Sequence, residues 1–132
     1  MTAKDRDFLF YLEDMLESMR RIEKYTEDLS YEQFKESDLR TDAVVRNLEI
    51  IGEAANNIPE DISGSYPRIP WKKMYGLRNL IAHKYFGIDY ENIWKIISKQ
   101  MPDNIQDLEK AIEVEKAKKE EENSPVADDS EE

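Results

Sequence analysis

Residues 38–58 read DLRTDAVVRNLEIIGEAANNI, and the placing of their apolar side chains around a helix decides the fold. At about 100° per residue, Val44, Val45, Leu48, Ile51, Ala55 and Ile58 cover one wide arc. Ala43, Ile50 and Ala54 extend it. The polar remainder is a narrow stripe of Asp42, Arg46, Glu49, Glu53 and Asn57. A helix apolar over most of its girth belongs at the centre of a bundle, or is shared with a second subunit. Steps of three and four residues within the polar stripe predict ion pairs along the helix surface. Arg46 and Glu53 are also the two stripe residues that would support a site brought close by another helix.

The flanking chain reads as further helices. Phe8, Leu12, Met15, Met19 and Ile22 recur at helical steps and predict a first helix over about 4–28. Ser30-Tyr31-Glu32-Gln33 fits a capping box that starts one short turn, to about residue 36. Pro59, Gly64, Pro67 and Pro70 punctuate the next segment, so a loop is expected over 59–70. Pro70 suits the first turn of a helix over about 71–85, with Gly87 just beyond its end. Asp89 can cap a helix over about 90–100 that turns Ile93, Trp94 and Ile97 inward. Pro102 is expected to break it. A last helix from about 103 uses Ile105, Leu108 and Ile112. No stretch alternates as a strand would. The expected fold is an all-α bundle of four or five helices.

The 132 residues suffice for one domain with one core. No apolar run approaches the length of a membrane span, and MTAKDRDFLFYLEDM lacks the apolar stretch of a signal peptide. There is no cysteine, hence no disulfide or thiolate chemistry. The cytosol is the expected compartment. The chain carries a formal charge of −11, which argues against broad coating of nucleic acid. Residues 113–132 hold nine acids and three lysines. They are expected to form an acidic, disordered tail behind a folded domain over 1–112. Such a tail keeps a protein in solution, and would compete with an anionic ligand for any basic surface.

That basic surface lies in residues 62–88. The window contains Arg68, Lys72, Lys73, Arg78 and Lys84, the only histidine (His83), and no acid. Within so acidic a chain it marks where an anion binds. With Arg78 at 0° on the wheel, Tyr75 falls at about 60°, Asn79 at about 100°, Lys72 at about 120° and His83 at about 140°. Tyr85 lies about 20° to the other side. Met74, Leu77, Leu80 and Ile81 take the opposite arc and read as core. Gly76 and Ala82 keep the polar face low. Arginine clamps phosphate and histidine moves protons near neutral pH. A lone histidine is often no more than a solvated surface residue, but an acid-free window and a coherent polar arc favour a site. One histidine, no cysteine and no nearby carboxylate in the motif make a poor metal site, and no cofactor is expected.

Arg78-Asn79, a short spacer, then His83-Lys84-Tyr85 resembles the motif of the HEPN superfamily, and most closely that of HepT-like toxins of HepT/MntA toxin–antitoxin pairs. The likeness extends to YLEDMLESMRRIEKYT, AVVRNLEIIGEAANNIP, PRIPWKKMYGLRN and HKYFGIDYENIW, and so covers about residues 5–112. The resemblance implies an α-helical HEPN-like homodimer whose two motifs face a shared cleft. It implies metal-independent cleavage of RNA with Arg78 and His83 as the catalytic pair. Asn79 and Tyr85 would support them, and Arg68, Lys72, Lys73 and Lys84 are candidates to hold RNA. It further implies an MntA-like minimal nucleotidyltransferase as antitoxin, which transfers AMP onto Tyr85. A second reading is a non-catalytic nucleotide- or RNA-binding subunit of a nucleotidyltransferase complex. A third is a structural helical dimer whose basic face meets an acidic partner.

Overall fold

The computed structural model describes residues 3–82 and 87–123, with side chains over 8–78 and 87–122. Its long helices are α1 (Ala3–Thr26), α3 (Asp38–Asn56), α5 (Trp71–Ala82) and α7 (Met101–Asn123), joined through short α2 (Tyr31–Glu36), α4 (Glu60–Ser65) and α6 (Tyr90–Lys95). No strand occurs among the described residues. The all-α bundle is the fold that the apolar periodicity predicts.

α3 is the central helix. It packs against α1 on one side and α5 on another, and Val44, Leu48 and Ile51 are wholly buried. The α1 stripe of Leu12, Met15, Met19 and Ile22 is buried against it. Fully burying side chains of this size contributes roughly 1.5–3 kcal/mol each, which is what drives the long helices together. α7 closes the other side of α1, and two cross-helix ion pairs, Arg20 with Glu109 and Lys116 with Glu13, trim that seam.

Local chemistry sets the short elements. The Ser30 hydroxyl accepts from the Gln33 amide while the Gln33 side chain accepts from the Ser30 amide, so the capping box forms as read. It starts α2, whose Phe34 is wholly buried against Trp94 and Tyr90, with ring centroids 5.1 and 6.2 Å away. Asp89 Oδ1 accepts from the Asn92 amide at 3.1 Å and starts α6. Gly87 has φ +97°, a conformation that side chains with a Cβ resist.

Three expectations change. The stretch 59–70 is not wholly a loop: Pro59, with its fixed φ, leads into α4 over Glu60–Ser65. The chain does not break at Pro102. α6 passes through a π turn at Ile96–Gln100 directly into α7. Proline clashes with the carbonyl four residues back, and a turn widened by one residue relieves that clash without ending the helix. The helix also crosses the compositional step at residue 112. α7 runs to Asn123, and Glu115 is buried at 5% exposure. Tyr66 Oη donates to Glu115 Oε2 at 2.5 Å, with Lys118 Nζ 3.4 Å from the same oxygen. Burial and the adjacent carboxylate push the Tyr66 phenol well above its ordinary range. Residues 124–132 of the acidic tail lie outside the described residues.

Candidate nucleic-acid interface

α5 begins at Trp71, where the Pro70 carbonyl accepts from the Met74 amide at 3.0 Å and the Trp71 indole donates to the Tyr66 carbonyl at 3.0 Å. Met74 and Leu77 are buried, as the wheel requires. Burying them turns Tyr75 and Arg78 outward. Tyr75 is 43% exposed and the Arg78 side chain 42%.

Arg78 is held from two sides. Its Nε lies 3.2 Å from Glu53 Oε1 on α3, and its guanidinium carbon stands 5.7 Å from the Tyr75 ring centroid. An ion pair this exposed contributes at most about 1 kcal/mol to stability. Its effect is on aim: with Nε occupied, the two terminal nitrogens keep their donors for a bidentate anion. Glu53 also places a negative charge beside the arginine, which tempers its attraction for phosphate.

The approach of α5 to α3 depends on Gly52. A Cβ there would stand 2.6 Å from Arg78 Cγ, 3.1 Å from the Arg78 amide nitrogen and 3.2 Å from the Met74 carbonyl oxygen. Only a residue without a Cβ fits. Sequence reading passed over Gly52. The available signal was a lone glycine inside a strongly apolar helix, which is costly in helix propensity and so points to close packing.

The polar stripe of α3 departs from expectation. No ion pair among the described residues joins Arg46 to Asp42 or Glu49; Glu53 instead reaches across to Arg78. The reason is tertiary: the gap left at Gly52 puts the arginine within range. Arg46 is exposed, with no ion-pair or hydrogen-bond partner among the described residues. Asn47 is buried at 5% exposure; its Nδ2 donates to the Ala43 carbonyl, while its Oδ1 has no partner among the described residues.

Of the basic window, Lys72 and Lys73 are exposed at the start of α5. Arg68, 81% exposed, has one loose contact, 3.8 Å to Asp107 Oδ1. His83, Lys84 and Tyr85 lie outside the described residues, as does the side chain of Asn79, although Asn79 belongs to α5. Among the described residues no three potential metal ligands cluster. What these side chains offer is an aimed guanidinium on α5 and two exposed lysines at the start of the same helix, groups suited to phosphate.

The family model described as "Ribonuclease HepT-like" matches residues 15–113. The chain is 42% identical over 107 residues to "Putative RNase MJ0127" of Methanocaldococcus jannaschii, covering 81% of this chain and 88% of that protein. It is 45% identical over 97 residues to "Putative RNase MJ1380" of the same organism, covering 74% and 89%. It is 41% identical over 92 residues to "Probable ribonuclease HepT" of Thermococcus cleftensis, covering 70% and 84%. No solved structure matches the chain.

Proposed function

The chain belongs to the HepT-like ribonuclease family, and on that premise we propose that it is a toxin-type, metal-independent endoribonuclease acting on RNA in the cytoplasm. The observation that carries this reading is Arg78, half-exposed, fixed by Glu53 and Tyr75, on the helix that leads to His83.

Cleavage without a metal uses the 2′-hydroxyl of RNA. Its oxygen attacks the adjacent phosphorus, and the bond to the 5′-oxygen of the next nucleotide breaks. One group takes the 2′ proton and another gives a proton to the leaving oxygen. The chain has one histidine and the reaction needs two proton carriers. A homodimer resolves this, with a neutral His83 from one subunit and a protonated His83 from the other around one phosphate. Arg78 stabilises the charge that builds on the phosphorane. Asn79 orients the His83 ring or the phosphate, and Tyr85 positions the RNA. Lys72, Lys73, Lys84 and Arg68 hold the backbone beyond the cleft.

Control follows from the same charges. An MntA-like minimal nucleotidyltransferase transfers AMP to Tyr85, placing bulk and a negative phosphate where RNA would bind. Tyr85→Phe then escapes the antitoxin; silencing of that variant by modification elsewhere would contradict the assignment. The deciding experiment is cleavage of labelled RNA in EDTA by wild type and by His83→Ala, with Tyr85 shown by mass spectrometry to be unmodified. Cleavage by wild type alone supports the reading. Absence of cleavage by unmodified wild type favours a nucleotide- or RNA-binding subunit without activity.

A further inference from the structure

A cavity of about 350 Å³ lies between α5, α6, the π turn and the start of α7, in the size range of small-ligand sites. Its floor is apolar: Met19, Met74, Leu77 and Met101 line it and are all buried. Three of the chain's five methionines are therefore in one place. Thioethers are polarisable and adapt to flat aromatic faces.

The rim is polar. Asn92, Gln100 and Asn104 line the opening, and none of their side-chain amides has a hydrogen-bond partner among the described residues. Each amide carries two donors and one acceptor, the pattern that complements the edge of a nucleobase. The π turn sets their alignment. Along an α-helix, Asn92, Ile96, Gln100 and Asn104 would drift about 40° at each step, about 120° in all. The one extra residue in the π turn takes back about 100° of that. The residues consequently stay on one face, toward the cavity.

Lys73 stands at the mouth and also lines an adjoining cleft with Arg68 and Lys99. Asp103 and Asp107 share that cleft, and Asp107 is the loose partner of Arg68. Lys73 and Lys99 have no ion-pair partner among the described residues. An apolar slot, free amides at its edge and unpaired cations beside it together match a nucleotide, with base inside and phosphate outside.

We infer that this cavity takes one unpaired base of the RNA substrate. On α5 the cavity residues Lys73, Met74 and Leu77 lie roughly 220°, 320° and 260° round from Arg78. That is the arc away from the Asn79 and His83 positions, so the base held here belongs to a nucleotide further along the strand than the cleaved bond, and its capture sets the register in which the RNA lies. The inference rests on RNA being the substrate.

Methyl NMR tests it with the full chain carrying His83→Ala. The probes are tetranucleotides of A, C or U, with the corresponding mononucleotides as a separate arm. The ε-methyls of Met19, Met74 and Met101 should shift on titration, while that of Met15, wholly buried and not lining the cavity, should not. Gln100→Leu with Asn104→Leu, both at the cavity rim, should weaken binding about tenfold. Response to mononucleotides but not to the tetranucleotides would overturn the assignment to RNA. Silent methyls with every probe would overturn the cavity assignment even if wild type cleaves RNA. Failure of wild type to cleave, with the methyls responding to the tetranucleotides, would refute the nuclease reading and the cavity's part in cleavage, and leave a cavity that binds a base of RNA.

Discussion

Replacing Gly52 by alanine tests how the candidate site is built. The added Cβ meets Arg78 Cγ at 2.6 Å and two backbone atoms of α5 at 3.1 and 3.2 Å. A Cγ close to the main chain cannot swing aside as a side-chain tip can, so α5 must back away or Arg78 must change rotamer. Overpacking of this kind costs about 1–3 kcal/mol. Alanine also gains about 1 kcal/mol of helix propensity over glycine, which partly masks the cost. Gly76→Ala supplies the control: it is also inside a helix, and its Cβ meets nothing within 4 Å. The propensity gain is common to both, so the two variants should differ by the steric cost alone, about 1–3 kcal/mol. For a chain of this size that is a gap of roughly 4–12 °C in melting temperature, with Gly76→Ala above wild type. Calorimetry measures the gap, and titration with short RNA measures the displacement of Arg78. Equal melting temperatures for the two variants, with wild-type RNA affinity in Gly52→Ala, would refute the claim that this glycine holds α5 and Arg78 in place.

Glu53→Gln keeps an acceptor for Arg78 Nε and removes a charge beside the proposed phosphate site. At about 6 Å in water that charge is worth about 0.7 kcal/mol, so RNA should bind about threefold tighter at low salt, and the gain should fade as salt rises. Arg78→Lys retains charge but loses the planar fork; RNA binding should persist while the cleavage rate falls by about tenfold or more, read from single-turnover kinetics. Tyr66→Phe leaves the buried Glu115 without its phenol donor and should cost about 1.5–3 kcal/mol at pH 8 in urea unfolding. Because the folded-state Tyr66 pKa is raised, its contribution is full below the unfolded value near 10 and is lost as pH rises above it. The difference between wild type and Tyr66→Phe should therefore shrink by pH 11, and a constant difference would refute the linkage.

Much of the bundle was legible because helices announce themselves locally. The α1 stripe, the capping box at Ser30 and the cap at Asp89 are decided by residues within four positions of one another. The outward face of α5 was legible for the same reason: Met74 and Leu77 go inward, so Tyr75 and Arg78 go outward. Pro102 misled because a proline announces a clash and not how the chain relieves it. The widened turn lets α6 run on into α7. The surface stripe on α3 misled because intrahelical spacing shows which pairs are possible, and another helix then offered Glu53 a partner 25 positions away.

The sequence by itself determined the helical class, the centrality of α3, the start signals of α2 and α6, and a basic, acid-free window centred on a helix. These follow from periodicity, capping and charge, which act over one or two turns. Tertiary structure alone decided that Gly52 admits Arg78, that Glu53 aims it, that Tyr66 meets Glu115 across 49 positions, and that three methionines and three amides surround one cavity. Each joins residues far apart in the chain, and the distance between such residues is set by how whole helices pack, which no local pattern encodes.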